Sequence, residues 1–520
     1  MCINVDPIKN NLENKVKIQK SLLTCAILCA LGASQAVMAD ETKSTDVVLK
    51  TDIMADAVGN VIQLTQISTG GATQGNNVSL FQEGDTNGIS LTVEGDANDA
   101  SVTQSGTGNI SVSTLTGEAN DLNLNQQGND SQAEVSVTGN GNELNITQTE
   151  DIGYLGLTNE AQAIVVGDDN HISIDQSEGG QWGYVKNLQG SGNDIGILQS
   201  GEWNETHLDV VSGNSNSFDI EQDGYWNVSR VRDLQGDGND LETMQDGRRN
   251  QFTLSLLQGE DNNIEIDQDG EYNAANLDEI LGSGNDISID QNGDYNSAAS
   301  ALFTGDNNDV MVSQTGNDNI ASFELVGEDN DFNLMQMGDG NDAYMGAIGS
   351  GNDFTTMQNG NLNQSHLVNF NGTDNNVTIN QSGDENVAVV QASYPDFSLT
   401  TDDNDISLMQ DGNMNDAVVN ISTLLDSNSN QVDIAQNGDL NALDLLIEGS
   451  NHLIDILQEG NENMVVGEGG AAMLIGGDSV QLSISQVGNG NIVEGAVISN
   501  GGSISIAQVG DWNTATIVQQ

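Results

Sequence analysis

The chain has 520 residues, with 78 acidic against 11 basic side chains and a formal net charge of −67. A field of that sign excludes nucleic-acid binding through phosphate neutralisation. Hydrophobic residues make up 36% and aromatics 4%, below the roughly 45–50% apolar usage of globular domains, so a large conventional core is excluded too.

The first element is a leader. Lys15, Lys17 and Lys20 precede an apolar run from Leu22 to Leu31, and Val37-Met38-Ala39 suits a signal-peptidase site before Asp40. Residues 1–39 therefore read as a secretory signal peptide, with an apolar run too short to span a membrane. Cys2, Cys25 and Cys29 all precede that site, so no disulfide framework is expected afterwards. The remaining chain carries seven basic and 76 acidic residues, about −69. Residues 40–59 form a short polar segment, read as a cap or an export signal.

From residue 60 to 520 the sequence repeats. Gln-x-Gly-x-x-Asn recurs with its Gln at 82, 104, 199, 222, 245, 268, 291, 314, 336, 358, 381, 410, 436, 458, 486 and 508, with degenerate copies at Gln126, Gln148 and Gln176. Most steps are 22 or 23 residues, and the longer ones after Gln148, Gln381, Gln410 and Gln458 read as loop insertions. Pro395 falls in one of these insertions, where it interrupts no strand.

Each unit reads as strand, turn, strand, turn. In the unit opened by Gly282-Ser283-Gly284-Asn285, polar and apolar residues alternate through Gln291. The turn Asn292 to Tyr295 follows, then a second strand from Asn296 to about Phe303. Such a unit cannot bury its apolar face alone, whereas stacked units can. The expected fold is all-β: a β-solenoid with two short parallel-stacked strands per 22–23-residue coil and about 19 coils, roughly 90 Å at ~4.8 Å per coil.

Alternation sends Asn285, Ile287, Ile289 and Gln291 inward. Buried amides are costly unless paired, and stacked amides can bond along the axis. The expected structural ladder includes Gln222, Gln245, Gln268, Gln291 and Gln314, with Asn227, Asn250, Asn273, Asn296 and Asn319 at the turns.

The pattern Gln-x-Gly-x-x-Asn-x-Ala, seen from Gln268 to Ala275 and from Gln291 to Ala298, resembles the curlin repeat of curli fimbria subunits. The resemblance extends from about Asn60 to Gln520. It implies a secreted bacterial subunit at the cell surface that forms extracellular amyloid fibres in adhesion and biofilms. It also implies export through a dedicated outer-membrane pore, with a nucleator and chaperones as partners. Family subunits are usually much shorter and less acidic. The unit from Gln508 to Gln520 has no helical or proline cap, which predicts self-association end to end.

Two outward columns stand out. Asp286, Asp309, Asp331 and Asp353 follow the first Asn of four consecutive coils. Neighbours ~4.8 Å apart repel by about 0.9 kcal/mol in bulk water. A solvated acidic face is the simpler expectation, and Ca²⁺ is the cation such a column would take. Trp203, Trp226, Arg249, Tyr272 and Tyr295 precede the turn Asn in five consecutive coils, an edge that either stiffens the stack or recognises a partner such as matrix polysaccharide.

Nothing points to an enzyme or a cofactor. No Cys remains for nucleophilic chemistry. His171, His207, His366 and His452 are all expected to face outward, without ligand spacing. The main reading is a self-assembling fibre subunit. Its alternatives are a monomeric acidic β-solenoid adhesin or polysaccharide-binding rod, and a chain disordered until calcium or salt screens it.

Overall fold

A computed structural model describes residues 59–68, 75–149, 158–186, 188–393 and 398–519. The expected signal peptide 1–39, all of the 40–59 segment but Gly59, and Pro395 lie outside the described residues. The structure is all-β: no α-helix occurs among the described residues, and one short 3-10 turn, Glu468–Gly470, sits in an insertion. The coils form two compact units, residues 41–295 and a unit that includes 296–520.

Within each unit the coils stack in parallel and in chain order. In the first unit Ser217–Tyr225 pairs with Asp194–Glu202 and Asp240–Arg248, and Asp240–Arg248 pairs in turn with Asn263–Glu271. In the second unit Asp331–Met337 pairs with Asp309–Thr315 and Asp353–Asn359. The described residues contain ten such first strands in the first unit and nine in the second, about 19 solenoid turns. A second ladder of strands, such as Ile320–Val326 between Ser297–Thr304 and Asp342–Ile348, closes the other side of each coil.

The core is thin and aliphatic. Ile264, Ile266, Ile287 and Ile289 are each at most 1% exposed. In the second unit a run of Phe rings joins them: Phe332 stacks on Phe354, ring centroids 5.2 Å apart, and Phe370 meets Phe354 at 5.1 Å. Period-2 alternation places one polar and one apolar row on opposite faces of each strand, so two short strands suffice to enclose a dry centre.

The sequence pattern did not reveal how the 23-residue coils take up their extra residue. It always falls in the second strand. Around residues 205–281 that strand is broken into short pieces, Glu205–Thr206, Val228–Ser229, Gln251–Phe252 and Ala274–Leu277. Asp209, Arg232, Ser255 and Glu279 there take positive φ. In the second unit the surplus is taken up by a register shift between Ser300 and Leu302. Both devices bend the strand without disturbing the inward row, as β-bulges do.

Candidate functional site: amide ladders and a cation–aromatic corner

Three rows of amides run through the stacked coils. The first is the Gln row. Gln222 Nε2 donates to Gln245 Oε1 at 2.7 Å, Gln245 to Gln268 at 2.8 Å and Gln268 to Gln291 at 2.8 Å. The second N–H of Gln268 donates to the Gln251 carbonyl at 2.9 Å, across the coil. In the second unit Gln314 donates to Gln336 at 2.8 Å. These side chains are at most 1% exposed, and the head-to-tail pairing satisfies each buried amide twice or more.

The second row lies at the turn. Asn227 Oδ1 accepts the backbone N–H of Asn250, and Asn250 Oδ1 that of Asn273, both at 3.0 Å. Asn250 Nδ2 donates to the carbonyls of Asp246 at 2.8 Å and Gly270 at 3.0 Å. Asn296 Oδ1 accepts from both the backbone and side-chain N–H of Asn319, at 3.1 and 3.0 Å. The third row is that of Asn285, which alternation had sent inward: Asn239 Oδ1 accepts from Asn262 Nδ2, and Asn262 Oδ1 from Asn285 Nδ2, both at 2.9 Å. The Gly-x-x-Asn that opens each unit was its visible signal.

Glycine completes the turn. Gly224, Gly247 and Gly270 lie in register. A Cβ on Gly247 would stand 2.2 Å from the Gly270 carbonyl oxygen, and φ there is +110°. The backbones approach too closely for any side chain, a stricter demand than positive φ alone.

Two of the four histidines correct the sequence reading by being buried. His452 is 2% exposed and occupies the third amide row, in Gly449-Ser450-Asn451-His452. Its Nδ1 accepts the Val480 N–H at 3.2 Å, its Nε2 lies 3.3 Å from the Glu448 carbonyl, and its own N–H donates to Asn430 Oδ1 at 2.9 Å. The ring does an amide's work, accepting on one side and donating on the other, which requires the neutral tautomer protonated at Nε2. His366 is also buried, at 5%, between in-register Tyr344 and Val389. His171 and His207 are partly exposed.

Burial holds the His452 pKa below the usual imidazole range, against the smaller opposing effects of the Glu448 carbonyl and Asp478. A depressed folded-state pKa means that the unfolded chain binds the proton first. Stability contributed by neutral His452 is therefore complete above the unfolded value of about 6.5 and lost as pH falls below it. His452→Asn should keep the row, because Asn can accept the Val480 N–H, and should abolish this acid-sensitive step. Amide hydrogen exchange at Val480 between pH 7 and 5 measures it. An equal acid sensitivity in the variant would refute the assignment.

The corner column is continuous from Trp226 to Tyr295. Arg249 lies over the Trp226 ring at 4.4 Å and over Tyr272 at 5.3 Å, and donates from Nη1 to Tyr272 Oη at 2.7 Å. Tyr272 stacks on Tyr295 at 4.9 Å with 4° between the planes. Trp203 meets Trp182 edge to face at 6.3 Å. All five column residues have φ between 58° and 64°, a left-handed conformation that costs a non-glycine residue roughly 1–2 kcal/mol.

The Asp column is regular as well. Asp309, Asp331 and Asp353 are exposed and in register, and Asp286 accepts from Asn263 Nδ2 at 2.9 Å. Partial burial first, then the neighbouring carboxylates of Asp353 and Asp309, push the Asp331 pKa up. Among the described residues no three His, Cys, Asp or Glu side chains gather as a group that could hold a metal ion.

Compared with known families, five overlapping or successive segments, 190–224, 259–293, 282–316, 305–336 and 327–360, match the model described as Curlin associated repeat. A comparison with curated proteins gives no significant match.

Proposed function

Five segments between residues 190 and 360 match the curlin-associated repeat, and from that match we propose that the chain is a curlin-repeat protein, a structural subunit that self-assembles into extracellular amyloid-type fibres serving adhesion and biofilm matrix. The observation that carries this reading is that successive coils offer each other the same contact. Each presents parallel strand edges, a Gln donor and Asn acceptors, so one copy's coil can take the place of the next coil in another copy. Secretion, export through an outer-membrane pore and growth from a nucleator follow from the family reading.

A monomeric polysaccharide-binding rod is the weaker reading. Sugar rings stack on open aromatic faces, whereas Tyr272 and Tyr295 spend theirs on each other and Trp226 and Tyr272 flank Arg249. The test is purification of the chain from residue 40, followed by thioflavin fluorescence and electron microscopy. Fibres that seed fresh protein are expected. Protein that stays monomeric at high concentration, in both low and high salt, would overturn the proposal.

A further inference from the structure

Tyr272 and Tyr295 are held in an arrangement that self-assembly does not call on. Their rings stack with 4.9 Å between centroids and 4° between planes. That distance is the ~4.8 Å spacing of successive coils, so the Tyr295 ring repeats the Tyr272 ring by translation along the axis. Each Cε carbon, ortho to the hydroxyl, therefore stands about 4.9 Å from its equivalent on the other ring. The backbone fixes this placement. Both residues take left-handed φ, 61° and 60°. Tyr272 N–H donates to the Arg248 carbonyl and Tyr295 N–H to the Glu271 carbonyl, both at 2.8 Å. The adjoining Asn273 is tied to Asn250 Oδ1 at 3.0 Å.

The pair is also accessible. Tyr295 is 54% exposed and Tyr272 half-buried. Arg249 donates from Nη1 to Tyr272 Oη at 2.7 Å, a bond that uses an oxygen lone pair and leaves the phenolic hydrogen able to depart. The other described tyrosines lack such a neighbour. Tyr184 is 4% exposed, against His207 and Lys186. Tyr344 donates to Glu324 Oε2 at 3.0 Å and lies in register with Ser322 and His366. Tyr225 is 51% exposed, but its neighbours in register are Glu202 and Arg248. Tyr154 and Tyr394 lie outside the described residues.

We propose that Tyr272 and Tyr295 are a site of oxidative cross-linking, joined as dityrosine by a one-electron oxidant such as a haem peroxidase supplied with hydrogen peroxide. The oxidant takes one electron and one proton from each phenol. The two phenoxyl radicals couple through one Cε each, and the hydrogen on each joined carbon moves to its oxygen, which restores both hydroxyls. Two phenols and one hydrogen peroxide thus give one dityrosine and two waters. Holding the second phenol at coil spacing gives it an effective concentration that a separate molecule does not reach. The bond staples one coil to the next and constrains the unfolded chain as a disulfide does. Cys2, Cys25 and Cys29 are the chain's cysteines, so no disulfide can do this within the repeats. The staple is intramolecular and does not rest on fibre formation.

The experiment treats the wild-type chain, Tyr272→Phe, Tyr295→Phe and Tyr225→Phe with peroxidase and hydrogen peroxide over a range of protein concentrations. Phe keeps each ring and removes only its hydroxyl, so circular dichroism should be the same for all four. Wild type should gain the blue fluorescence of dityrosine at monomer mass on a denaturing gel, with a yield per chain independent of concentration. Mass spectrometry after proteolysis should find Tyr272 and Tyr295 peptides joined, two hydrogens lighter than the separate pair. Amide hydrogen exchange over residues 263–295 should slow at least ~tenfold. Tyr272→Phe and Tyr295→Phe should each lose the joined peptides, and Tyr225→Phe should keep them. Wild type oxidised in denaturant should lose them too, because the coil no longer holds the rings together. A wild-type monomer without the Tyr272–Tyr295 link, a link found only between chains, or an equal yield from the unfolded chain would overturn the proposal. A chain that forms no fibres yet acquires the staple would count against the fibre reading and leave this one standing.

Discussion

Gly247→Ala is expected to cost more than about 3 kcal/mol of local stability, a large loss for one methyl group. The added carbon would lie 2.2 Å from the Gly270 oxygen and 3.0 Å from its carbon. That carbonyl cannot move aside, because it accepts from Asn250 Nδ2 at 3.0 Å and belongs to strand Asn263–Glu271, paired on both sides. Gly192→Ala is the control. Its φ is +67°, but the nearest atom to the new carbon is Ser215 Oγ at 3.7 Å, so the expected cost is only the left-handed strain of roughly 1–2 kcal/mol. Stacked coils need not unfold in one step, so hydrogen exchange over residues 217–292 is the appropriate readout. Equal losses in the two variants would show that close backbone approach is not what selects glycine.

Gln268→Ala should lose on the order of 4 kcal/mol in the same segment. The substitution removes a donor to Gln291 and to the Gln251 carbonyl, and an acceptor for Gln245. Groups left buried without partners cost about 1–3 kcal/mol each. Gln268→Glu is more informative. A carboxylate there cannot donate to Gln291, and burial of the side chain pushes its pKa up. With the folded-state pKa above the unfolded one, the variant should be weakest at neutral pH and recover as pH falls through that raised value. Proteolysis rates across pH 4–8 test this. A Glu variant that weakens steadily with acid would contradict the ladder's energetic role.

Much of the fold was legible because a solenoid repeats its constraints. One Gln in a strand says little. Sixteen at steps mostly of 22 or 23 residues, each followed by Gly and Asn, require that the same environment recur, and only stacking supplies it. Period-2 alternation then fixed which residues face inward. The same logic located the Trp226–Arg249–Tyr272 column, since residues at equal offsets in successive coils must be neighbours. The third amide row was readable too, because alternation sends Asn285, which closes the Gly-x-x-Asn of its unit, to the same inner face as Gln291.

The sequence by itself determined the coil length, the parallel stacking, the inward Gln and Asn rows and the outward acids, because all of these follow from period and alternation. The tertiary structure alone decided three matters. It placed His452 inside, since a ring with one donor and one acceptor can replace an amide only where its partners, Val480 N–H and the Glu448 carbonyl, stand on either side. It put the surplus residue of the longer coils into the second strand, because the Gln row on the first strand tolerates no slip. It also showed that the arginines of coil 228–250 reach no carboxylate among the described residues. Charge composition cannot reveal that, because whether opposite charges meet depends on which face of the coil each occupies.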